Sequence, residues 1–196
     1  MHNFFRGISM SFPRIAYRFR GFLPTPLFIF AFFCSKFETE WHWFIWPLGV
    51  STLISGLLLR IWAQEHLQYR LKVKRNLATT GPYSFVRNPM YLGNILICLS
   101  LVVTSEPLWF VPITFFYLSA IYSLVIRYEE RQLVGKYGEP YRKYMSEVPR
   151  WFPRAVRFNK LGIKNEYFAA SVIVEFPTIL ALLPFLIKEL ISDIIY

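Results

Sequence analysis

The sequence predicts an all-α protein, a polytopic transmembrane helical bundle of about five spans with a helical hairpin and a cytoplasmic cofactor pocket. Three observations predict it. The 196 residues are 55% hydrophobic and only 17% charged, against about 25% charged in a soluble domain. The apolar residues gather in blocks rather than spreading through the chain. The basic residues behind the net charge of +10 fall in stretches between alternate blocks, as loop charges do when they set membrane topology.

Residues 1–20 are basic and aromatic, with Arg6, Arg14, Arg18 and Arg20 among Phe4, Phe5, Phe12 and Tyr17. This pattern predicts an interfacial anchor, and no small-residue cleavage site follows the first apolar stretch. The first block, 21–37, is short for a span and opens with Pro24 and Pro26. Glu38, Glu40, Trp41 and Trp43 follow, the tryptophans marking a membrane interface. The second block, 44–63, reads as broken only by Pro47 and Ser/Gly positions. These two blocks form one predicted unit, 21–63.

Residues 64–88 are polar and basic. The third block, 89–104, and the fourth, 108–126, are separated by the tight turn Thr104-Ser105-Glu106-Pro107. So short a connection makes them an antiparallel hairpin. Residues 127–164 are again basic. The fifth block, 168–187, holds Pro177, Pro184 and Glu175, read as the only clear mid-span charge. A carboxylate there is costly against lipid, so Glu175 is expected to face the bundle. The segment 154–196 is a linker and a C-terminal transmembrane helix.

With five spans, all three basic stretches share one side, which the positive-inside rule makes cytoplasmic. Every sizeable polar loop is then cytoplasmic, and a site for a soluble cofactor belongs there. The expected partners are the lipid bilayer and a membrane lipid; basic residues beside apolar blocks favour anionic headgroups over nucleic acid. His2, His42 and His66 are scattered and Cys34 and Cys98 lie inside apolar segments, so neither a metal site nor a disulfide framework is expected.

Three constellations carry chemistry. The first runs from Thr79 to Tyr91 and contains Gly81-Pro82-Tyr83, a turn signal, and Asn88-Pro89-Met90-Tyr91, a helix start with Asn88 as N-cap and Pro89 in the first turn. Its free N–H groups suit an anion; the plain alternative is a capped helix with Arg87 reaching headgroups. The second, Arg127-Tyr128-Glu129-Glu130-Arg131, sits where the fourth block leaves the bilayer. Glu129 follows Val125 by one helical turn and stays near the membrane seam. Read plainly, the run is a solvated helix end with local ion pairs. The third, from Gly135 to Tyr144 and on to Val148-Pro149-Arg150-Trp151-Phe152-Pro153, is a turn, a short amphipathic helix and a stop. It is either a membrane-surface helix or a lid over a pocket.

Taken together and in this order, these motifs resemble the isoprenylcysteine carboxyl methyltransferase and phospholipid methyltransferase superfamily of membrane enzymes, over roughly residues 59–153. The resemblance implies a methyltransferase core at 64–153 and S-adenosylmethionine as cofactor. Carried onto this chain, it implies cofactor contacts from Gln68, Arg75, Asn76, Leu77, Ala78, Tyr83, Asn88, Pro89, Met90, Tyr91 and Glu129. Leu133, Tyr141, Trp151 and Phe152 are further pocket walls. Arg127 and Glu129 are the implied catalytic residues, and no metal is implied. The family often has histidine where this chain has Asn88, and bacterial members carry asparagine; a bacterial inner membrane is the implied location. The substrate-binding arginine of the eukaryotic carboxyl methyltransferases falls on Val125 here, with Arg127 the nearest guanidinium.

The acceptor implied is lipid-like or isoprenoid. A carboxylate acceptor is already ionised at neutral pH, whereas an amine must lose a proton, which favours carboxyl O-methylation over amine N-methylation. Two other readings fit the sequence. An NADPH-dependent membrane sterol or enone reductase would use Arg70, Lys72, Lys74 and Arg75 for a 2′-phosphate. A non-catalytic membrane protein would need none of the three constellations.

Overall fold

A computed structural model describes residues 13–33, 42–69, 77–105, 107–152 and 167–195, and among them every regular element is helical. A short helical stretch at 13–18 leads into α1 (Thr25–Phe33) and α2 (His42–Tyr69). A 3-10 turn (Gly81–Ser84) precedes α3 (Pro89–Thr104) and α4 (Phe110–Tyr137). Then come α5 (Glu139–Glu147) and α6 (Phe168–Ile195).

The α3 bounds coincide with the third apolar block, because Pro89 starts the helix and Thr104-Ser105 ends it. Two other helices overrun their apolar blocks. The polar residues Gln64 to Tyr69 continue α2, and Arg127 to Tyr137 continue α4. Apolarity marks where lipid stops, whereas backbone hydrogen bonding carries the helix on into polar surroundings. Residues 1–12, the Glu38–Trp41 interface, Glu106 and the linker at 153–166 lie outside the described residues.

The pairings show alternating directions. Against α2, α3 is antiparallel: a Cβ on Gly49 would meet Thr104, and one on Gly56 would come within 3.0 Å of the Gly93 oxygen. The seam is made of Gly49, Gly56 and the fully buried Ala63, seven residues apart. Small residues let two backbones approach closely where lipid supplies no hydrophobic drive for association. Along α4, residues 17–30 run antiparallel. Tyr17 stacks near Tyr128 with ring centroids 5.4 Å apart, Tyr117 donates to the Leu23 carbonyl at 3.3 Å, and Phe30 meets Phe110 at 3.9 Å. The C-terminal α6 packs along α2, with Glu175 against Arg60 and Leu182 in a cluster with Ile97 and Leu101 against which Leu53 and Leu57 pack.

Glu175 faces the bundle as expected, with no exposed surface. It has a mid-helix partner that composition obscured. Arg60 sits inside the second block, so Glu175 is not the only charge at that depth. A buried core of Tyr91, Ile95, Cys98, Leu118, Tyr122, Val125 and Ile126 joins α3 to α4.

Outward faces are apolar. Ile173, Phe176, Leu180, Leu183 and Ile187 form one exposed stripe on α6, and α2 exposes Phe44, Leu48, Ile54 and Leu58. Trp43 and Trp109 stand exposed at the starts of α2 and α4, the end opposite residues 13–20, 77–88 and 127–152. Such stripes suit lipid tails, and such tryptophans suit an interface. Among the described residues, Trp43–Gln68 and Phe110–Tyr137 are long and apolar enough to cross a membrane. Pro89–Thr104 and Phe168–Leu183 are apolar but shorter. The architecture is that of a helical membrane bundle.

The seam yields a prediction. Gly56→Leu forces α2 from α3 and should abolish the monodisperse peak on size-exclusion chromatography in detergent. Gly135→Ala has open space around it and should raise stability by about 0.5–1 kcal/mol, the usual gain on replacing a mid-helix glycine. Equal behaviour of the two variants would show that the close approach is not what holds the pair.

Candidate functional site

Because the chain alternates direction, the C-terminal ends of α2 and α4 and the N-terminal end of α3 share one end of the bundle. Residues 13–20 and the 3-10 turn join them there. The polar stretches of the sequence are thereby gathered around a cavity of about 530 Å³, within the usual range for small-molecule sites. Arg20, Arg60, Gln64, Leu67, Leu77, Ala78 and Tyr83 form part of the wall. Asn88, Pro89, Met90, Tyr91 and Asn94 add the start of α3, while Glu129, Leu133, Lys136, Tyr137, Tyr141 and Tyr144 add α4 and α5.

One hydrogen bond joins the two helices of the hairpin across this cavity: Tyr91 Oη donates to Glu129 Oε2 at 2.8 Å. The Tyr91 ring also packs on Tyr122, with centroids 5.0 Å apart. Among the described residues lining the cavity, Glu129 alone carries a carboxylate. The four lining cations divide in two. Arg60 pairs with Glu175, and Arg87 Nε lies 3.2 Å from Glu130 Oε1. Arg20 and Lys136 are exposed, Arg20 resting on the Tyr17 ring at 4.4 Å.

Asn88 precedes α3 but its side chain does not cap the helix. Its backbone, at φ −132° and ψ 57°, is outside the extended region from which a cap oxygen reaches back. The Nδ2 amide is buried and has no hydrogen-bond partner among the described residues. A buried unsatisfied donor on a cavity wall is costly unless a ligand accepts from it.

The turn before α3 depends on Gly81, whose φ of 60° few other residues adopt. A Cβ there would also strike the His66 ring at 2.3 Å. His66 Nδ1 lies 3.1 Å from Thr80 Oγ1, so the overrun of α2 positions this turn.

Helix α5 and the residues after it pack against one side. Glu130 is buried and accepts from Arg150 while pairing with Arg87. Arg87 donates through its backbone N–H to the Pro149 carbonyl at 2.9 Å and through Nη1 to the Met145 carbonyl at 3.1 Å. Tyr144 Oη donates to the Tyr83 carbonyl at 2.7 Å. Helix α5 and residues 148–150 are thus latched over the turn at 81–87. Burial raises the pKa of Tyr83, Tyr141 and Tyr144 above the ordinary phenol value, with the charge of Glu129 adding to Tyr83 and that of Glu130 to Tyr141.

The residues picked from sequence distribute as follows. Leu77, Ala78, Tyr83, Asn88, Pro89, Met90, Tyr91 and Glu129 line the cavity, and so do Leu133 and Tyr141. Gln68 is buried on α2 but does not line it; Gln64 and Leu67 take that position. Arg75 and Asn76 lie outside the described residues, as do Arg70, Lys72 and Lys74. Arg127 is exposed and is not brought to the cavity, because it lies two residues from Glu129 and so on another side of α4. Trp151 packs on the hairpin core, whereas Phe152 is exposed. Sequence reasoning missed Arg20, Gly21, Arg60, Gln64, Leu67, Arg87, Asn94, Lys136, Tyr137 and Tyr144 as lining residues. Arg60 carried a legible signal, a charge inside an apolar block. Asn94 lies one turn beyond Tyr91. Arg20 gave no local signal. Among the described residues, no group of three His, Cys, Asp or Glu is placed to hold a metal ion.

The helices thus enclose a polar cavity beside the basic-aromatic helix α5. Residues 44–140, close to half of the chain, match the model of the phospholipid methyltransferase family. The match supports the superfamily that the motifs resemble. The cobalt-zinc-cadmium resistance protein CzcN of Cupriavidus metallidurans is 35% identical over 108 residues, covering 55% of this chain and 47% of the relative. The nickel-cobalt-cadmium resistance protein NccN of Alcaligenes xylosoxydans xylosoxydans is 31% identical over 111 residues, covering 57% of this chain and 49% of the relative. The chain spans about half the length of the curated relatives it matches. No solved structure matches.

The packing of α5 yields a pH prediction. The folded state keeps its phenolic protons above pH about 10, where an unfolded chain releases them, so stability falls as pH rises past that value. Tyr144→Phe should lower the melting temperature near neutral pH, by the loss of about 1 kcal/mol for one hydrogen bond, and make the alkaline fall shallower. A variant whose pH profile parallels the parent's would contradict the burial assigned to that hydroxyl.

Proposed function

We propose that this protein is an integral, multi-pass membrane methyltransferase that moves a methyl group from S-adenosylmethionine to a lipid-like or isoprenoid acceptor. The observation that carries the reading is the Tyr91–Glu129 hydrogen bond inside a cavity of about 530 Å³. It places the paired polar side chains at the meeting of α3 and α4, within the segment matched to a methyltransferase family.

The residues present fit this donor. Glu129 offers a carboxylate to ribose hydroxyls or to the sulfonium charge. The buried Nδ2 of Asn88 offers a donor to a carboxylate or a base edge. Tyr83, Tyr91 and Tyr141 provide aromatic walls. The sulfonium supplies an activated methyl group, so the protein's task is to align donor and acceptor and to exclude water. Helix α5 and residues 148–150, held by Glu130, perform the second part. Arg127, exposed and not among the lining residues, is left out of the proposed machinery.

On this reading the chain makes five alternating passes, and by the positive-inside rule the cavity would face the cytoplasm, where a soluble donor is available. The acceptor enters from the bilayer between the helices. Carboxyl O-methylation is favoured because it needs no general base. The relatives are named for resistance to cobalt, zinc, cadmium and nickel. Methylation of an envelope lipid is the route by which this chain would share in that physiology.

The test is calorimetric titration of S-adenosylmethionine into the purified protein in detergent. Glu129→Ala and Tyr91→Ala should each weaken binding at least tenfold, about 1.4 kcal/mol, with an unchanged elution profile. Parent-like affinity in both variants would remove the site assignment.

A further inference from the structure

Glu175 lies outside the residues matched to the family, on a helix that docks late in the chain. It is fully buried, and its Oε2 accepts from Arg60 Nε at 2.8 Å and pairs with Arg60 Nη2 at 2.7 Å. Arg60 lies within the matched segment and lines the cavity, as does Asn94, whose Oδ1 accepts from Arg60 Nη1. The arginine stem passes over Gly93, where a Cβ would come within 2.5 Å of its Cγ. A glycine at that position therefore gives the guanidinium its path to the cavity wall. Thr178, one turn after Glu175, lies 3.4 Å from Arg60 Nη2. Three helices thus hold one guanidinium, α2 carrying it, α3 making room and α6 supplying the countercharge.

The arrangement matters because of what the cavity is proposed to bind. A sulfonium is a cation, and an uncompensated guanidinium in the same cavity would oppose it. Two unit charges about 10 Å apart, at an effective dielectric near 20, change each other's binding roughly tenfold. Glu129 already serves the end of the cavity near Tyr91 and, among the described residues, has no second carboxylate beside it in the wall. We propose that Glu175 is a positioning residue of the donor site: it fixes Arg60 against the wall and cancels its charge, so that the cavity tolerates a sulfonium. This rests on the methyltransferase reading and extends it to α6, beyond the segment that defines the family.

The experiment compares affinities for S-adenosylmethionine, which carries the sulfonium, and S-adenosylhomocysteine, its neutral thioether, in the full-length chain purified in detergent. Glu175→Gln should weaken the sulfonium ligand roughly tenfold more than the thioether. Arg60→Met, which leaves the carboxylate alone, should move the ratio the opposite way, and it carries the test if Glu175→Gln does not fold. The double variant Arg60→Met/Glu175→Gln should return the ratio to the parent's. A purely structural role would shift both ligands together, so a ratio unmoved in folded single variants overturns the proposal, as does a ratio the double variant fails to restore. A parent that binds neither ligand overturns the methyltransferase reading itself, which is a separate failure.

Discussion

The hydrogen bond between Tyr91 and Glu129 is the point on which the architecture turns. It is made between the first turn of α3 and the polar extension of α4. Bringing these together requires an antiparallel hairpin with a short connection and an α4 that continues past its apolar block. It also divides two adjacent carboxylates. Glu129 faces the cavity, while Glu130, turned about 100° around the helix, is buried with Arg87 and Arg150. One dipeptide therefore faces both the cavity and the packed segment 145–150.

Lipid sets the terms for the rest. Without a hydrophobic drive between helices, α2 and α3 are joined by the contact of Gly56 with Gly93 and by the small residues at 49 and 63. That contact also frees the space that Arg60 crosses. A charge at this depth needs a partner, and the partner comes from α6. Packing and electrostatics are coupled here, because the same glycine permits the helix approach and routes the arginine. The outer faces of α2, α4 and α6 remain apolar and exposed, which leaves polar chemistry confined to one end and its interior extension.

Several features were legible in the sequence because a single local cause sets them. Asn88-Pro89 and Thr104-Ser105 bound α3, the described parts of the basic stretches share one end, and a mid-span Glu175 turns inward. Others depend on tertiary contacts. Gln64 to Tyr69 read as loop because they are polar, yet they continue α2, whose buried His66 sits beside the turn at 80–81. Asn88 reads as a cap, but its backbone conformation leaves the amide buried at the cavity wall instead. Arg127 was the nearest guanidinium in sequence, whereas Arg20, Arg60 and Arg87 are the ones that line the cavity, since a helix places residues two positions apart on different faces. Arg20 reaches the cavity only because residues 17–30 run antiparallel to α4, a pairing that no local pattern encodes.

Hydrogen–deuterium exchange of the detergent-purified protein, with and without S-adenosylmethionine, tests the central claim most directly. The account predicts ligand-dependent protection of peptides covering 77–94 and 129–144, with the opposite end of the bundle around Trp43 and Trp109 unchanged. Protection confined to other segments, or none at saturating ligand, would contradict it.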